Sequence, residues 1–262
     1  MSTACSITYI GGPTALIEIG GLRLLTDPTF DPPGQHYNFG LPFIGSTKTQ
    51  GPAIGLDELG RIDVVLLSHD QHPDNLDTRG RDALTRAGRV LTTTAGAKRL
   101  GGNADGLRPW ESTVLGDDRR RITVTATPAR HGVPGISLLS GPDIGFMLEW
   151  AGQRHGALYL SGDTVYFGGI DKIAGRFQVS VAVIHFGGVR FAVSGPARYT
   201  FNAGGGLRAA AAVRARIVVP IHFDGWSHFC TPRSEIDSTF AAAGKSDTLR
   251  WPAPGQPLEL EV

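Results

Sequence analysis

The stretch Val64-Val65-Leu66-Leu67-Ser68-His69-Asp70-Gln71-His72-Pro73-Asp74-Asn75-Leu76-Asp77 joins an apolar run to a cluster of imidazoles, carboxylates and carboxamides. Val64 to Leu67 show no polar alternation, the pattern of a strand covered on both faces, although a buried helical turn shares it. A buried strand opening into a polar loop is a frequent seat of chemistry, because the sheet fixes the side chains and the loop lets them converge. Asp74 or Asp77 can also cap the helix predicted over Asp77 to Ala87. Capping uses one carboxylate and leaves His69 and His72 unexplained.

Upstream, Ser6 to Ile10, Thr14 to Ile19 and Leu22 to Thr26 read as three short strands, with Gly11-Gly12-Pro13 and Gly20-Gly21 as turns, so the chain opens as an antiparallel meander. The third strand ends at Asp27-Pro28, where the carboxylate either starts a turn or orients a metal-bound His from behind. From Phe30 to Leu56 no period holds. Tyr37, Phe39 and Phe43 make this segment a pocket wall rather than a disordered excursion, with His36 part of the wall or merely exposed.

Downstream, the helix ends at Gly88 and is followed by a strand over Arg89 to Thr93 and a short helix over Ala95 to Leu100, an alternation that says α/β. Later strands again end in chemistry. Arg121 to Thr127 delivers His131, Ala157 to Leu160 delivers Asp163, and Ser180 to Ile184 delivers His185. A helix over Leu207 to Ala215 precedes the strand Arg216 to Ile221, which delivers His222 and then Trp226, His228 and Phe229. A last helix from Pro232 to Ala243 and a short strand complete the reading. No repeat and no linker divides residues 1–262, so one domain is expected.

The 262 residues carry a net charge of +1 with acids and bases mixed, which excludes the concentrated positive surface that nucleic acid needs. No apolar run approaches the roughly 20 residues of a membrane span. Met1 to Cys5 lack the basic and apolar regions of a signal peptide, so the expected location is cytoplasmic and the expected partner a small-molecule substrate, with a homo-oligomer left open. Cys5 and Cys230 form no metal knuckle, and Cys230 reads as a buried inert thiol.

Neutral imidazoles with a few carboxylates and no thiolate cluster suit zinc, manganese or iron in a catalytic site. A carboxylate can bridge two such ions, and water bound to them becomes a nucleophile near neutral pH. The reaction class is metal-assisted hydrolysis.

On Leu24-Leu25-Thr26-Asp27-Pro28, the run from Leu66 to Asp77, His131-Gly132, Ser161-Gly162-Asp163-Thr164 and Val219-Pro220-Ile221-His222, in that order, the chain resembles the metallo-β-lactamase superfamily. Within it, the likeness is to lactonase-like hydrolases such as ascorbate-6-phosphate lactonases and N-acyl-phosphatidylethanolamine phospholipase D. The resemblance implies an α/β fold, an αββα sandwich of two mixed sheets flanked by helices, with the site on the edge where the sheets meet. It also implies a ligand set: His69, His72 and His131 on one metal, Asp74 with His222 on the other, and Asp163 bridging.

The family's leading motif, His-x-His-x-Asp-His, is altered here. One extra loop residue keeps His69, His72 and Asp74 in register, passes over Gln71, and puts Asn75 where the last His belongs. A neutral carboxamide is a poor ligand, so the expectation is one or two divalent ions, zinc first, with manganese or iron as alternatives. With a single ion, Asp74 acts as general base. His185 falls outside the ligand set and reads either as a donor to substrate or to a developing oxyanion, or as a structural His. His228 reads as pocket wall.

The expected function is hydrolysis of a small ester, lactone or phosphodiester, with Lys48, Arg130 and Arg190 as cations for a phosphate or carboxylate. Gln71 and Asn75 motivate an alternative, a non-catalytic small-molecule or partner-binding protein with a degraded metal site. An iron redox enzyme shares the same ligand types.

Overall fold

The computed structural model describes residues 4–39, 44–117, 121–132, 141–191 and 195–262. In chain order the first strands are β1 (Ala4–Gly11), β2 (Thr14–Ile19), β3 (Leu22–Thr26), β4 (His36–Asn38), β5 (Gly45–Thr47), β6 (Val64–Leu66), β7 (Arg89–Thr93) and β8 (Ala104–Leu107). There follow β9 (Ser112–Leu115), β10 (Ile122–Pro128), β11 (Ile144–Trp150), β12 (Ala157–Leu160), β13 (Val179–His185), β14 (Ile217–Ile221) and β15 (Pro257–Glu261). The helices are α1 (Thr78–Arg86), α2 (Thr94–Leu100), α3 (Gly168–Ala174), α4 (Ala203–Ala212) and α5 (Arg233–Ala242).

Two mixed sheets result, in orders β15-β1-β2-β3-β6-β7-β8 and β14-β13-β12-β11-β10-β9. Their facing sides share one apolar core. Leu24, Val64 and Leu66 of the first sheet pack there with Leu158, Leu160, Val181 and Val183 of the second. The alternate residues turn outward under helices: Leu25, Val65 and Leu67 pack with Ala83 and Leu84 of α1. On the opposite side, Ala182 and Ile184 pack with Ile170 and Ile173 of α3, Ala209 of α4 and Phe240 of α5. This four-layer arrangement explains the run of apolar residues without alternation in β6, since both of its faces are covered.

The helix expected over Leu207 to Ala215 begins earlier, at Ala203, where the Asn202 side chain accepts from Gly205 N. Three glycines hide that start from a propensity reading. Packing requires one of them, because a Cβ on Gly206 would lie 2.2 Å from the Phe186 ring. Within the long segment from Phe30 to Leu56, β4 and β5 pair as a small hairpin of their own, and His36 on β4 is exposed. Phe43 lies outside the described residues. Among the described residues, no helix is long and apolar enough to cross a membrane.

Cys230, read as a buried thiol, is exposed, and Cys5 is buried. Burial, with Glu259 nearby, pushes the Cys5 thiol up to about 12. A thiol reagent at pH 8 is therefore expected to titrate one cysteine of the folded chain and two after denaturation, since only the thiolate reacts. Two fast thiols in the folded protein would contradict the buried position of Cys5.

Candidate metal centre

Strand direction gathers the candidate residues. β3 and β6 are parallel neighbours, and so are β12, β13 and β14. β10 is antiparallel to β11, itself antiparallel to β12, so β10 runs with the other three. The ends of these six strands carry Asp27, His69, His131, Asp163, His185 and His222, and the topology delivers all of them to one edge of the sandwich.

His69, His72 and His131 form the first group. His72 Nδ1 lies 2.9 Å from His69 Nε2 and 3.1 Å from His131 Nε2. His131 Nδ1 faces the Tyr199 carbonyl at 2.9 Å, and a carbonyl only accepts, so the proton sits on Nδ1 and Nε2 is bare. His69 Nδ1 faces Ser68 Oγ at 2.9 Å and Asp143 Oδ2 at 3.5 Å, which fixes that ring with Nε2 turned inward. Three nitrogens thus converge on one point from three directions.

Asp163, His185 and His222 form the second group, all buried. His185 Nδ1 lies 2.8 Å from Asp163 Oδ1. His222 stands between two carboxylates, with Nδ1 3.3 Å from Asp163 Oδ1 and Nε2 3.5 Å from Asp74 Oδ2. Among the described residues, neither ring nitrogen of His222, nor Asp163 Oδ2, makes a hydrogen bond. Each buried polar atom left so costs about 1–3 kcal/mol. A divalent cation would satisfy them together, so these residues fit the metal that the donor chemistry calls for.

Electrostatics agree with this reading. Burial and the neighbouring His72 hold His69 well below its usual range, and burial with the facing His131 pushes His72 down to about 4. Burial also lowers His185. These rings are neutral at pH 7, the form a metal takes. Burial alone would lower His222 as well, but the Asp163 and Asp74 carboxylates raise it. Asp27 is pushed up to about 8 by burial, and Asp143 well above the carboxylate range by burial and by Asp163 and Asp27. Asp163, by contrast, is held well below the usual carboxylate range despite its burial, by the neighbouring His222 and His185.

Two turns at the site hold backbone strain, at Asp27 (φ 27°) and His222 (φ 56°), each costing about 1–3 kcal/mol. Asp27 Oδ1 accepts from Ser68 N at 2.6 Å, which ties the end of β3 to the His69 loop, and Oδ2 lies 4.0 Å from His185 Nε2.

His72 stands with His69 and His131, the grouping the resemblance implied, while Gln71 turns away, with its amide to the Pro142 carbonyl. Asp70 pairs with Arg99. Other readings change. Asn75 lies outside both groups; its Nδ2 points to Ser68 Oγ at 3.4 Å. His185, read as a substrate or oxyanion donor, is buried and directed at Asp163. Lys48, read as a phosphate cation, is buried in an ion pair with Asp77, Nζ to Oδ2 2.7 Å. Arg130 stacks on Phe167 and donates to the Tyr166 carbonyl. His228, read as wall, bonds Asp74 Oδ2 through Nε2 at 3.0 Å. Asp143 was missed altogether, and no pattern marks it, because one Asp before a strand is the commonest kind of turn residue.

A family model, the beta-lactamase superfamily domain, matches residues 22–223. The chain belongs to that superfamily. A protein of Methanocorpusculum labreanum named a metal-dependent hydrolase is 31% identical over 189 residues, 68% of this chain and 76% of its own. One of Opitutus terrae with the same name is 26% identical over 267 residues, 97% of this chain and 99% of its own. Among solved structures, the isothiocyanate hydrolase from Delia radicum gut bacteria has the same fold, with a TM-score of 0.81 at 19% identity and coverage of 98% and 99%.

Proposed function

We propose that this member of a family of metal-dependent hydrolases directs water at a small neutral ester or lactone, with His69, His72 and His131 holding one ion and Asp74, Asp163 and His222 a second. One observation carries the reading: the imidazole nitrogens of His69 and His131 stand 2.9 and 3.1 Å from His72 Nδ1, beside a buried His222 whose nitrogens have no hydrogen bond. The nitrogen and oxygen donors suit zinc best, with manganese or iron next. Bound there, the metal supplies a water that ionises near neutral pH and a Lewis acid for the substrate's carbonyl oxygen. Asp163 would be the carboxylate able to bridge the ions, and His185 Nδ1–H, 2.8 Å from its Oδ1, keeps it oriented.

The surroundings favour a neutral substrate. Phe39 meets His72 edge-on at 5.6 Å and Phe191 at 5.8 Å, while Phe191 meets Tyr199 at 5.6 Å and Tyr199 meets His131 at 5.7 Å. These rings exclude water and pack an apolar acyl or ring group. Lys48 is held by Asp77 and brings no charge to a phosphate.

Metal-loaded protein is expected to turn over an aryl ester or a γ-lactone with kcat/KM about 100-fold above that for bis(p-nitrophenyl) phosphate, roughly 2.7 kcal/mol in the transition state. A preference for the phosphodiester would overturn the substrate class. Metal-bound protein that hydrolyses none of the three would restore the binding-protein alternative.

A further inference from the structure

The segment after β14 returns to the site through His228, whose side chain is 5% exposed. Its two ring nitrogens are both engaged, unlike those of His222. Nδ1 lies 2.6 Å from Ser46 Oγ, and Nε2 lies 3.0 Å from Asp74 Oδ2. Ser46 Oγ is in turn 3.2 Å from Ser227 Oγ, which accepts from Thr47 N at 2.9 Å.

The direction of this chain of bonds follows from its ends. Thr47 N–H can only donate, so Ser227 accepts there and has one hydroxyl proton left to pass to Ser46. Ser46 passes its own proton to His228 Nδ1. The ring then carries its proton on Nε2 and donates it to Asp74, which as a carboxylate accepts. A single tautomer satisfies every member.

Aromatic rings close around the imidazole. Phe191 stacks on it at 5.8 Å and 6°, Phe229 lies at 4.7 Å, Phe39 at 5.3 Å and Trp226 at 6.2 Å. Water is kept from the hydrogen bond to Asp74, and the ring cannot rotate away from it.

We propose that His228 is a positioning residue for the second metal: it donates Nε2–H to Asp74 Oδ2 and so aims the carboxylate. It does not ligate the metal. The proposal rests on the assignment of Asp74 to the second ion. Because Ser46 belongs to β5 and Phe39 follows β4, the same contacts tie the aromatic wall to that ligand.

The test is titration of the metal-free protein with Zn²⁺ by calorimetry, with metal content by plasma mass spectrometry. His228→Ala is expected to keep the first equivalent and to weaken the second about 10- to 100-fold, the usual effect of removing a partner of a ligand. His228→Gln, which puts an amide N–H near the former Nε2, is expected to restore most of that loss, and Ser46→Ala to fall between. Co²⁺-saturated His228→Gln should retain the wild-type visible spectrum, because the ligand set is unchanged. Circular dichroism checks that each variant is folded. An unchanged second equivalent in folded His228→Ala, no rescue by Gln, or an altered cobalt spectrum would each overturn the proposal. Asp74→Asn separates the two levels: if it keeps the second equivalent, the ligand assignment itself fails. If Asp74→Asn loses it while His228→Ala does not, only the role of His228 fails.

Discussion

Asp163→Ala is expected to remove the second metal equivalent and to lower kcat/KM by about three orders of magnitude. The carboxylate lies 2.8 Å from His185 and 3.3 Å from His222, and its Oδ2 has no hydrogen bond among the described residues. No neighbouring side chain can replace it, since Asp27 is committed to Ser68 N and burial pushes Asp143 towards its neutral form. A metal's contribution to transition-state charge is worth several kcal/mol, and about 4 kcal/mol is three decades in rate. Metal content and ester hydrolysis, measured on the same samples, check this. A variant that keeps both equivalents would defeat the assignment of Asp163 to the ions. Removing metal from the wild type with a chelator should lower its thermal midpoint, because an ion that binds only the folded state stabilises it. The midpoint of Asp163→Ala should respond less, since that variant is expected to hold one ion fewer.

The second large effect is one of stability. Lys48→Met is expected to cost about 3 kcal/mol, the low end of the range for breaking a buried pair by removing one partner. Lys48 and Asp77 are 3% and 0% exposed in their side chains. The low end applies because Asp77 keeps its backbone donors, accepting from Phe30 N, Asp31 N and Gly80 N. Asp77 also caps α1, so Asp77→Asn weakens both the cap and the pair. In Lys48→Met/Asp77→Asn no unpaired charge remains, and the double variant should be more stable than the sum of the single losses allows. Urea unfolding measures all three variants. A loss below about 1 kcal/mol in Lys48→Met would mean that the pair is solvated in solution.

The sequence discloses the strands best. β2, β3 and β7 fall where glycine turns and apolar runs put them, and the strands expected before His131, Asp163, His185 and His222 end at or within three residues of them. The logic is local: an apolar run must be covered, and a polar residue at its end must leave the core. The reading fails where the signal is not local. The start of α4 is a run of glycines whose necessity lies in Phe186, more than a dozen residues away. β4 and β5 are three residues each, too short for a period.

At the site, residue type was informative and partnership was not. His228 was visible as an aromatic neighbour, but its bond to Asp74 spans 154 positions. Lys48 looked available for an anion because nothing near it in sequence is acidic, whereas Asp77 meets it from 29 positions away. Asp143 has no motif. The altered leading motif was noticed, and the departures at Gln71 and Asn75 leave both candidate groups intact because neither residue belongs to them.

Because Asp27 and the His69–Asp74 loop come from one sheet, and His131, Asp163, His185 and His222 from the other, neither half of the chain owns a complete site. A nascent chain that has made only β1 to β8 presents two of the site's imidazoles, His69 and His72, and still lacks β15, the outer strand of its own sheet. A complete ligand set therefore forms only after the two sheets have closed on each other, and an ion bound there would act as a seal on a finished fold.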